Sequence, residues 1–471
     1  MKTLKLLTLA LAFVALSVSC GKKENPEDSG EGGGGAVVPT RKIFDEDLFE
    51  KVTDQSGVVS YLLKSGIAGW ECSQSNYFNT RSLTNDERFL FFFGSNKDFP
   101  TNQSRGGVIL DLFTGKFYRI DGCKFSCCPF LDVETDILYY AEITNNKSRA
   151  QFYYRDLLNA PDKAVKLCDL PTTILPKSDR PIQRLATHLT LTKDRKKVFL
   201  DMKIMDSNYK QYVSDQHFTY YQGLLDLTNG KFEEWDHGEV HLTHGQLNPN
   251  DDNVALLATD SYSYTAMDGT TVNVPIKKDA DGWYPRIQIM TRDRSDPSAP
   301  TTSRMTMIPD VNANRDGGYA SHERWDETGL YVYWCSDNAC IRSVKNARNK
   351  DRYTKYPTPS HASHCFFNTP RDLITYDDQS PDYYRSCEWK VNFYNTKSAK
   401  EIKIHTKLPR LVTKDEITNN STLASAYQNW HTDPHPQFVC KDKYIICTAQ
   451  RSDKTIRLSI TPVDQLIKLT N

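Results

Sequence analysis

The sequence predicts an all-β fold, a seven-bladed β-propeller. Three observations predict it. First, an apolar residue, a small polar turn and a β-rich run recur seven times. The turns are Leu83-Thr-Asn-Asp, Leu131-Asp-Val-Glu, Leu191-Thr-Lys-Asp, Leu247-Asn-Pro-Asn, Trp325-Asp-Glu-Thr, Phe367-Asn-Thr-Pro and Phe438-Val-Cys-Lys. Second, their spacings of 48, 60, 56, 78, 42 and 71 residues suit four-stranded blades of roughly 40–50 residues with loop insertions. Third, the residue three positions before each apolar one is Thr80, Cys128, His188, His244, His322, His364 or His435. Five of seven equivalent positions are histidine in a chain with 11. Equivalent positions of a radial repeat converge on one place, so five imidazoles there point to a metal site, a general base, or both.

The individual elements follow from local chemistry. Phe89 to Phe93, Ile137 to Tyr140 and Tyr444 to Cys447 are strand-forming runs. Leu110-Asp-Leu-Phe-Thr-Gly115-Lys-Phe and Leu225-Asp-Leu-Thr-Asn-Gly230-Lys-Phe predict outer hairpins with glycine at a positive φ. The longest interval carries an insertion, Asp260 to Trp283, with Asp-Gly turns at 268–269 and 281–282. Glu46 to Val52 is the best short helical candidate. Cys335 and Cys340 flank a turn, and Cys440 and Cys447 span a hairpin, so each pair could form a disulfide; buried free thiols are the alternative.

Residues 1–38 stand apart from the fold. Lys2 and Lys5 precede an apolar core, Leu6 to Leu16, too short to span a bilayer as a helix. Leu16-Ser-Val-Ser-Cys20-Gly21 resembles a bacterial lipobox. The resemblance implies a signal peptide over 1–19, acylation of Cys20 and a membrane anchor without a transmembrane helix. Residues 20–38 are charged and Gly-rich, as a flexible tether is. The expected site is the outer membrane, on the cell surface or the periplasmic side. Residues 39–471 then form a single propeller domain, expected to be a monomer. Of the 59 basic and 59 acidic residues, residues 1–38 hold four of each, leaving 59 − 4 = 55 of each sign. That balance argues against nucleic-acid binding. An anionic substrate needs a local basic cluster instead.

The densest chemical motif is Asn429-Trp-His431-Thr-Asp433-Pro-His435-Pro436. In extended backbone His431, Asp433 and His435 project to one side, and the prolines favour a loop over a central strand. Gly317-Gly-Tyr-Ala-Ser321-His322-Glu-Arg-Trp325 and His241-Leu-Thr-His244 are the next signals, with His244 expected in the channel and His241 outside it.

These islands resemble the oligogalacturonate lyase family, seven-bladed propellers that cleave pectin fragments. The matching stretches are Asn76-Tyr-Phe with Leu83-Thr-Asn-Asp86, His244 with Pro249-Asn-Asp-Asp-Asn253, His322-Glu-Arg-Trp325, Asp433-Pro-His435-Pro-Gln-Phe438 and Thr448-Ala-Gln-Arg-Ser-Asp453. The resemblance implies a polysaccharide lyase that cleaves uronic-acid glycans by metal-assisted β-elimination. It implies a divalent metal, manganese in the family, held by His322 and His435, and His244 as the base. Arg81 falls where the family has a lysine, as a carboxylate clamp. The chain also departs from the pattern. Asp433 replaces a ligand histidine, a carboxylate that suits manganese or calcium. Trp430 replaces a ligand glutamine, leaving His431 or His364 to complete the shell. Tyr221 falls near a catalytic arginine; ulvan lyases, also propellers, use His and Tyr, so Tyr221 is a candidate acid or base. The alternative reading is a non-catalytic propeller lipoprotein binding a glycan or a protein through the same face.

Overall fold

Along the strand Phe89–Ser95, Phe89, Phe91 and Phe93 pack toward one neighbouring blade while Leu90 and Phe92 pack toward the other. Side chains alternate across a strand, and here both faces are covered. The run is therefore continuously apolar. Asp251–Thr259 behaves alike, with Val254 and Leu256 on one side and Ala255 and Leu257 on the other. Fully burying one such side chain contributes about 1.5–3 kcal/mol.

A computed structural model describes residues 43–471, apart from 96–105, 124–126, 145–148, 172–181, 206–217, 239, 260–261, 266–270, 275–284, 310–319, 337–338, 345–352, 359–361, 380–387, 410–432 and 454. The signal, Cys20, the tether, Trp430 and His431 lie outside the described residues. The chain forms seven antiparallel blades in a ring, a seven-bladed β-propeller. From the axis outward, blade 1 is Cys72–Gln74, Phe89–Ser95, Gly106–Asp111 and Lys116–Ile120. Blade 2 is Phe130–Asp132, Ile137–Ile143, Ala150–Asp156 and Val165–Asp169. In blade 3, Ile182–Arg184 and Thr190–Leu191 share the inner edge of Lys197–Met205, followed by Phe218–Asp226 and Phe232–Gly238. Blade 4 is Leu242–Asn248, Asp251–Thr259, Pro285–Asp293 and Thr301–Pro309. Blade 5 is Ser321–Trp325, Tyr331–Ser336, Ala339–Val344 and Tyr353–Pro357. Blade 6 is Cys365–Phe367, Leu373–Gln379, Trp389–Asn395 and Lys400–Leu408.

Blade 7 closes the ring from both ends of the domain. Gln437–Val439, Tyr444–Gln450 and Ile456–Pro462 come from the C-terminal part. Val59–Leu63 and Phe49–Thr53 complete it, with Tyr61 opposite Ile460 and Leu62 opposite Ser459. Ring closure leaves each blade packed on two others, so the core is a set of interfaces between blades rather than one central mass.

The expected outer hairpins are present, with Gly115 at φ 72° and Gly230 at φ 70°. The insertion carries a hairpin, Tyr262–Thr265 against Thr271–Val274. The helix expected over Glu46–Val52 is not formed. Turns precede the strand Phe49–Thr53, whose alternating burial fits an edge strand paired on one side. A helix forms instead at Val463–Thr470 and packs Val463 and Leu466 onto the interface between blades 6 and 7. The described cysteines are free thiols. Cys440 and Cys447 face different interfaces, which removes the proposed hairpin disulfide. Cys335 and Cys340 are direct cross-strand partners, clustered with Cys365 in the interface between blades 5 and 6.

Candidate active site and metal centre

The five repeat histidines do converge. They surround two aromatic residues, Tyr77 and Phe78, which leave blade 1 just after its inner strand. Tyr77 stacks on His188 with ring centroids 5.6 Å apart and meets His435 edge-on at 4.7 Å. It lies 6.3 Å from both His244 and His364. Phe78 lies 5.2 Å from His364 and 6.2 Å from His322 and His435. Blade 1 has Thr80 where five other blades have histidine, and it supplies this central pair instead. Residue type alone did not single out Tyr77 and Phe78 as site residues; their position in the family-like Asn76-Tyr-Phe stretch was the available signal.

Backbone geometry aims the rings. His244, His322 and His435 adopt left-handed φ values of 55°, 54° and 49°. The ladder slips between Thr243 and Gln246, and again between Ser321 and Arg324. Each slip is a bulge, which re-aims a side chain at the cost of an unfavourable conformation for a residue with a Cβ.

His364, Asp433 and His435 form a buried triad whose ligand atoms all lie within 4.8 Å of one another. Asp433 Oδ2 is 3.9 Å from His364 Nε2 and 3.9 Å from His435 Nε2. Donors that share an ion at about 2.0–2.2 Å lie roughly 3–4 Å apart, so the triad fits a divalent cation. Buried His364 Nε2 makes no hydrogen bond among the described residues. Its Nδ1 donates to Asp377, 2.9 Å from Oδ2, which leaves Nε2 as the atom that takes a second proton or a metal ion. The Asp377 carboxylate also accepts the backbone amides of His364 (2.7 Å) and His435 (3.2 Å). Burial depresses the His364 pKa, but Asp377 and Asp433 outweigh it and hold the ring above the usual imidazole value. A cation at Nε2 would replace that proton.

His322 flanks the triad, its ring centroid 3.8 Å from that of His364. Its Nδ1–H donates to the Ser363 carbonyl, leaving Nε2 as the lone-pair atom. Burial, with His364 and His244 nearby, keeps His322 well below the usual value and therefore neutral. His188 is likewise neutral through burial, His244 and Arg184, and Asn79 Nδ2 donates to its Nε2 at 2.7 Å.

His244 differs from the triad. Its side chain is 22% exposed, while those of His364 and His435 are buried. It lies 6.2 Å from His188, ring to ring. Three cations that sequence reasoning did not single out stand near its neighbours His188, His241 and Glu323. Arg184 donates to the Leu242 carbonyl (2.8 Å) and sits 3.4 Å from His241. Arg286 lies 3.6 Å from Glu323, whose other oxygen is 3.7 Å from His244 Nδ1. Lys203 covers the Phe218 ring at 4.1 Å and the Tyr220 ring at 5.8 Å. His241 packs on Tyr220 at 5.0 Å; burial and then Arg184 and Lys203 push its pKa down to about 3. His241 thus stays outside the ring of five, as expected. Asp201 faces Arg184 and Glu323 faces Arg286, so this is a mixed cluster with one more basic than acidic side chain, which an overall balance of charge conceals.

Two expected site residues are placed elsewhere. Tyr221 sits on the third strand of blade 3, stacked on His237 at 5.7 Å and packed toward blade 2. Its neighbour Tyr220 takes the opposite face, as alternation requires. Arg81 pairs with Glu327 and the Phe438 carbonyl, and lies 4.5 Å from the Phe366 ring centroid. Glu327 is in the turn that follows an inner strand, whereas the histidines come before or at the start of theirs.

The structure is similar to two solved oligogalacturonate lyases. The one from Vibrio parahaemolyticus matches with a TM-score of 0.60 and 15% identity, over 88% of this chain and 96% of that one. An oligogalacturonate lyase in complex with manganese matches with a TM-score of 0.61 and 16% identity, over the same shares. No protein-family signature matches this chain, and neither does any curated protein. At this identity the likeness establishes the fold.

Proposed function

We propose that this chain is a polysaccharide lyase that cleaves uronic-acid glycans by metal-assisted β-elimination. The observation that carries the reading is a buried His364–Asp433–His435 donor set and a partly exposed His244 that converge on Tyr77, on a propeller like that of the oligogalacturonate lyases. His322 is the flanking fourth ligand. Imidazole nitrogens with one carboxylate oxygen suit a first-row divalent ion, and manganese, bound in a similar lyase, is the one proposed.

The bound cation would neutralise the uronate carboxylate and so stabilise the charge that develops on it. His244 takes the C5 proton as general base. Arg184 and Arg286 flank the sugar's anionic groups, in a part-buried setting where charge counts for more than in water. The glycosidic oxygen leaves from C4, and the C4–C5 double bond remains in the product. Lys203, set among Phe218, Tyr220 and His241, is the candidate proton donor or second clamp in place of Tyr221 and Arg81. The protein would act as a lipoprotein anchored through Cys20.

The test is the ultraviolet absorbance of the unsaturated uronate during incubation with a panel of uronic-acid polymers and oligosaccharides. Absorbance that rises with one of them, and is abolished by chelation and restored by manganese, is the expected result. Binding of a glycan without any unsaturated product would leave a non-catalytic glycan-binding propeller as the better reading.

A further inference from the structure

Glu323 is buried, and neither of its carboxylate oxygens makes a hydrogen bond among the described residues. Burial pushes its pKa up against the pull of Arg286, and an ionised carboxylate in that state is costly unless it is paired and hydrogen-bonded. It follows His322 in the blade 5 bulge, so the two side chains leave the backbone in different directions. Its main chain is fixed, since Gln246 Nε2 donates to the Glu323 carbonyl at 2.8 Å. Two groups face its side chain from blade 4. His244 Nδ1 is 3.7 Å from Oε1, and Arg286 Nη2 is 3.6 Å from Oε2. Arg286 is itself pinned by the carbonyls of Ala320 (2.8 Å) and Thr259 (3.2 Å). A small rotation of Glu323 therefore brings an oxygen within hydrogen-bond reach of His244, with Arg286 steadying the other oxygen.

We infer that Glu323 is a positioning residue for His244: its carboxylate takes the Nδ1–H of the imidazole and leaves Nε2 as the proton-accepting atom. This rests on the lyase reading for its catalytic consequence, though not for its geometry. The same chain builds the arrangement elsewhere, where Asp377 holds Nδ1–H of His364. The groups around His244 point the same way. Thr187 Oγ1 accepts its backbone amide at 3.1 Å, and the rings of His188 and Tyr77 lie on its flanks. Of these groups, Glu323 is the carboxylate beside Nδ1.

The experiment uses the metal-loaded chain with ¹⁵N-labelled histidine and zinc as a diamagnetic ion; His244→Gln assigns the resonances. In the wild type, Nδ1 of His244 should carry the proton and Nε2 should not. Glu323→Gln, whose amide can donate as well as accept, should shift the tautomer toward Nε2–H. Glu323→Leu should lose the preference and give a mixture. With a confirmed substrate, kcat should fall at least about tenfold in both variants, with KM and metal content nearly unchanged. A wild-type His244 protonated on Nε2, or an unchanged tautomer in Glu323→Leu, overturns the proposal. So does a fall in kcat that is explained by lost metal. If no glycan is cleaved by the wild type, the lyase reading fails while the tautomer still decides the pairing.

Discussion

Asp377 holds His364 and His435 together: its carboxylate accepts Nδ1–H and the amide of the first and the amide of the second. Asp201 does the equivalent between blades 3 and 4, accepting the Thr187 amide at 2.7 Å and the Gly245 amide at 3.3 Å. One device thus braces the triad and, across the ring, the chain around His244. Asp377→Asn should weaken divalent-metal affinity by about 10–100-fold. Asp201→Asn should leave metal affinity intact and lower turnover instead. Calorimetric titration with manganese, paired with kinetics, distinguishes the two; equal metal loss in both would remove the division of labour.

His435→Ala should empty the metal centre while leaving the propeller folded. His435 contributes an imidazole to the triad, and its strand neighbours Gln437 to Val439 hold blade 7 independently of that ring. Elemental analysis of protein purified without chelator, with circular dichroism alongside, checks this. Full metal content in the variant would shift the centre toward His322 and His364.

Acid should destabilise the fold in a window set by buried neutral histidines. His405 is buried in blade 6, 3.0 Å from Ser459 Oγ, and burial pushes its pKa down to about 4. In the unfolded chain the value is about 6.5. The unfolded state therefore binds this proton first as pH falls. Stability from His405 is full above pH about 6.5 and is lost on the way down to pH about 4, amounting to about 3 kcal/mol. Urea titrations at pH 7 and 4.5 should show that slice missing in His405→Asn. A variant whose stability falls as steeply as the wild type's would rule His405 out as the source.

Gly245→Ala should disturb the site from behind. An added Cβ would sit 2.8 Å from the Phe199 ring and 3.0 Å from Asp201 Cβ. Overpacking of this kind costs about 1–3 kcal/mol. Because the strain enters next to His244, turnover should drop more than the melting temperature does. A variant with wild-type kinetics would show that the bulge tolerates movement.

The repeat, the blade hairpins and the gathering of five histidines were legible in the sequence because each has a local cause. Strand alternation, turn chemistry and a fixed offset survive in one dimension. The two displaced residues show the limit. The resemblance puts Tyr221 near a catalytic position, but alternation gives that side of the strand to Tyr220. The resemblance puts Arg81 at a family lysine, yet its guanidinium pairs with Glu327 along the inner strands. The short helix at Val463–Thr470 exists because Leu466 finds a groove between two blades, which eight residues of sequence cannot announce.

The sequence by itself determined the propeller, the ring of histidines and the candidate metal-binding Asp433 and His435. Only the tertiary structure decided that Tyr77 and Phe78 fill the centre, and that His364 stands with Asp433 and His435. It alone brought Glu323 and Arg286 to His244, and Arg184 and Lys203 to His241. The physical reason is distance along the chain. Repeats and turns are set by neighbours a few residues apart. The charges that orient and neutralise each imidazole come from other strands and blades, brought together only when the ring closes.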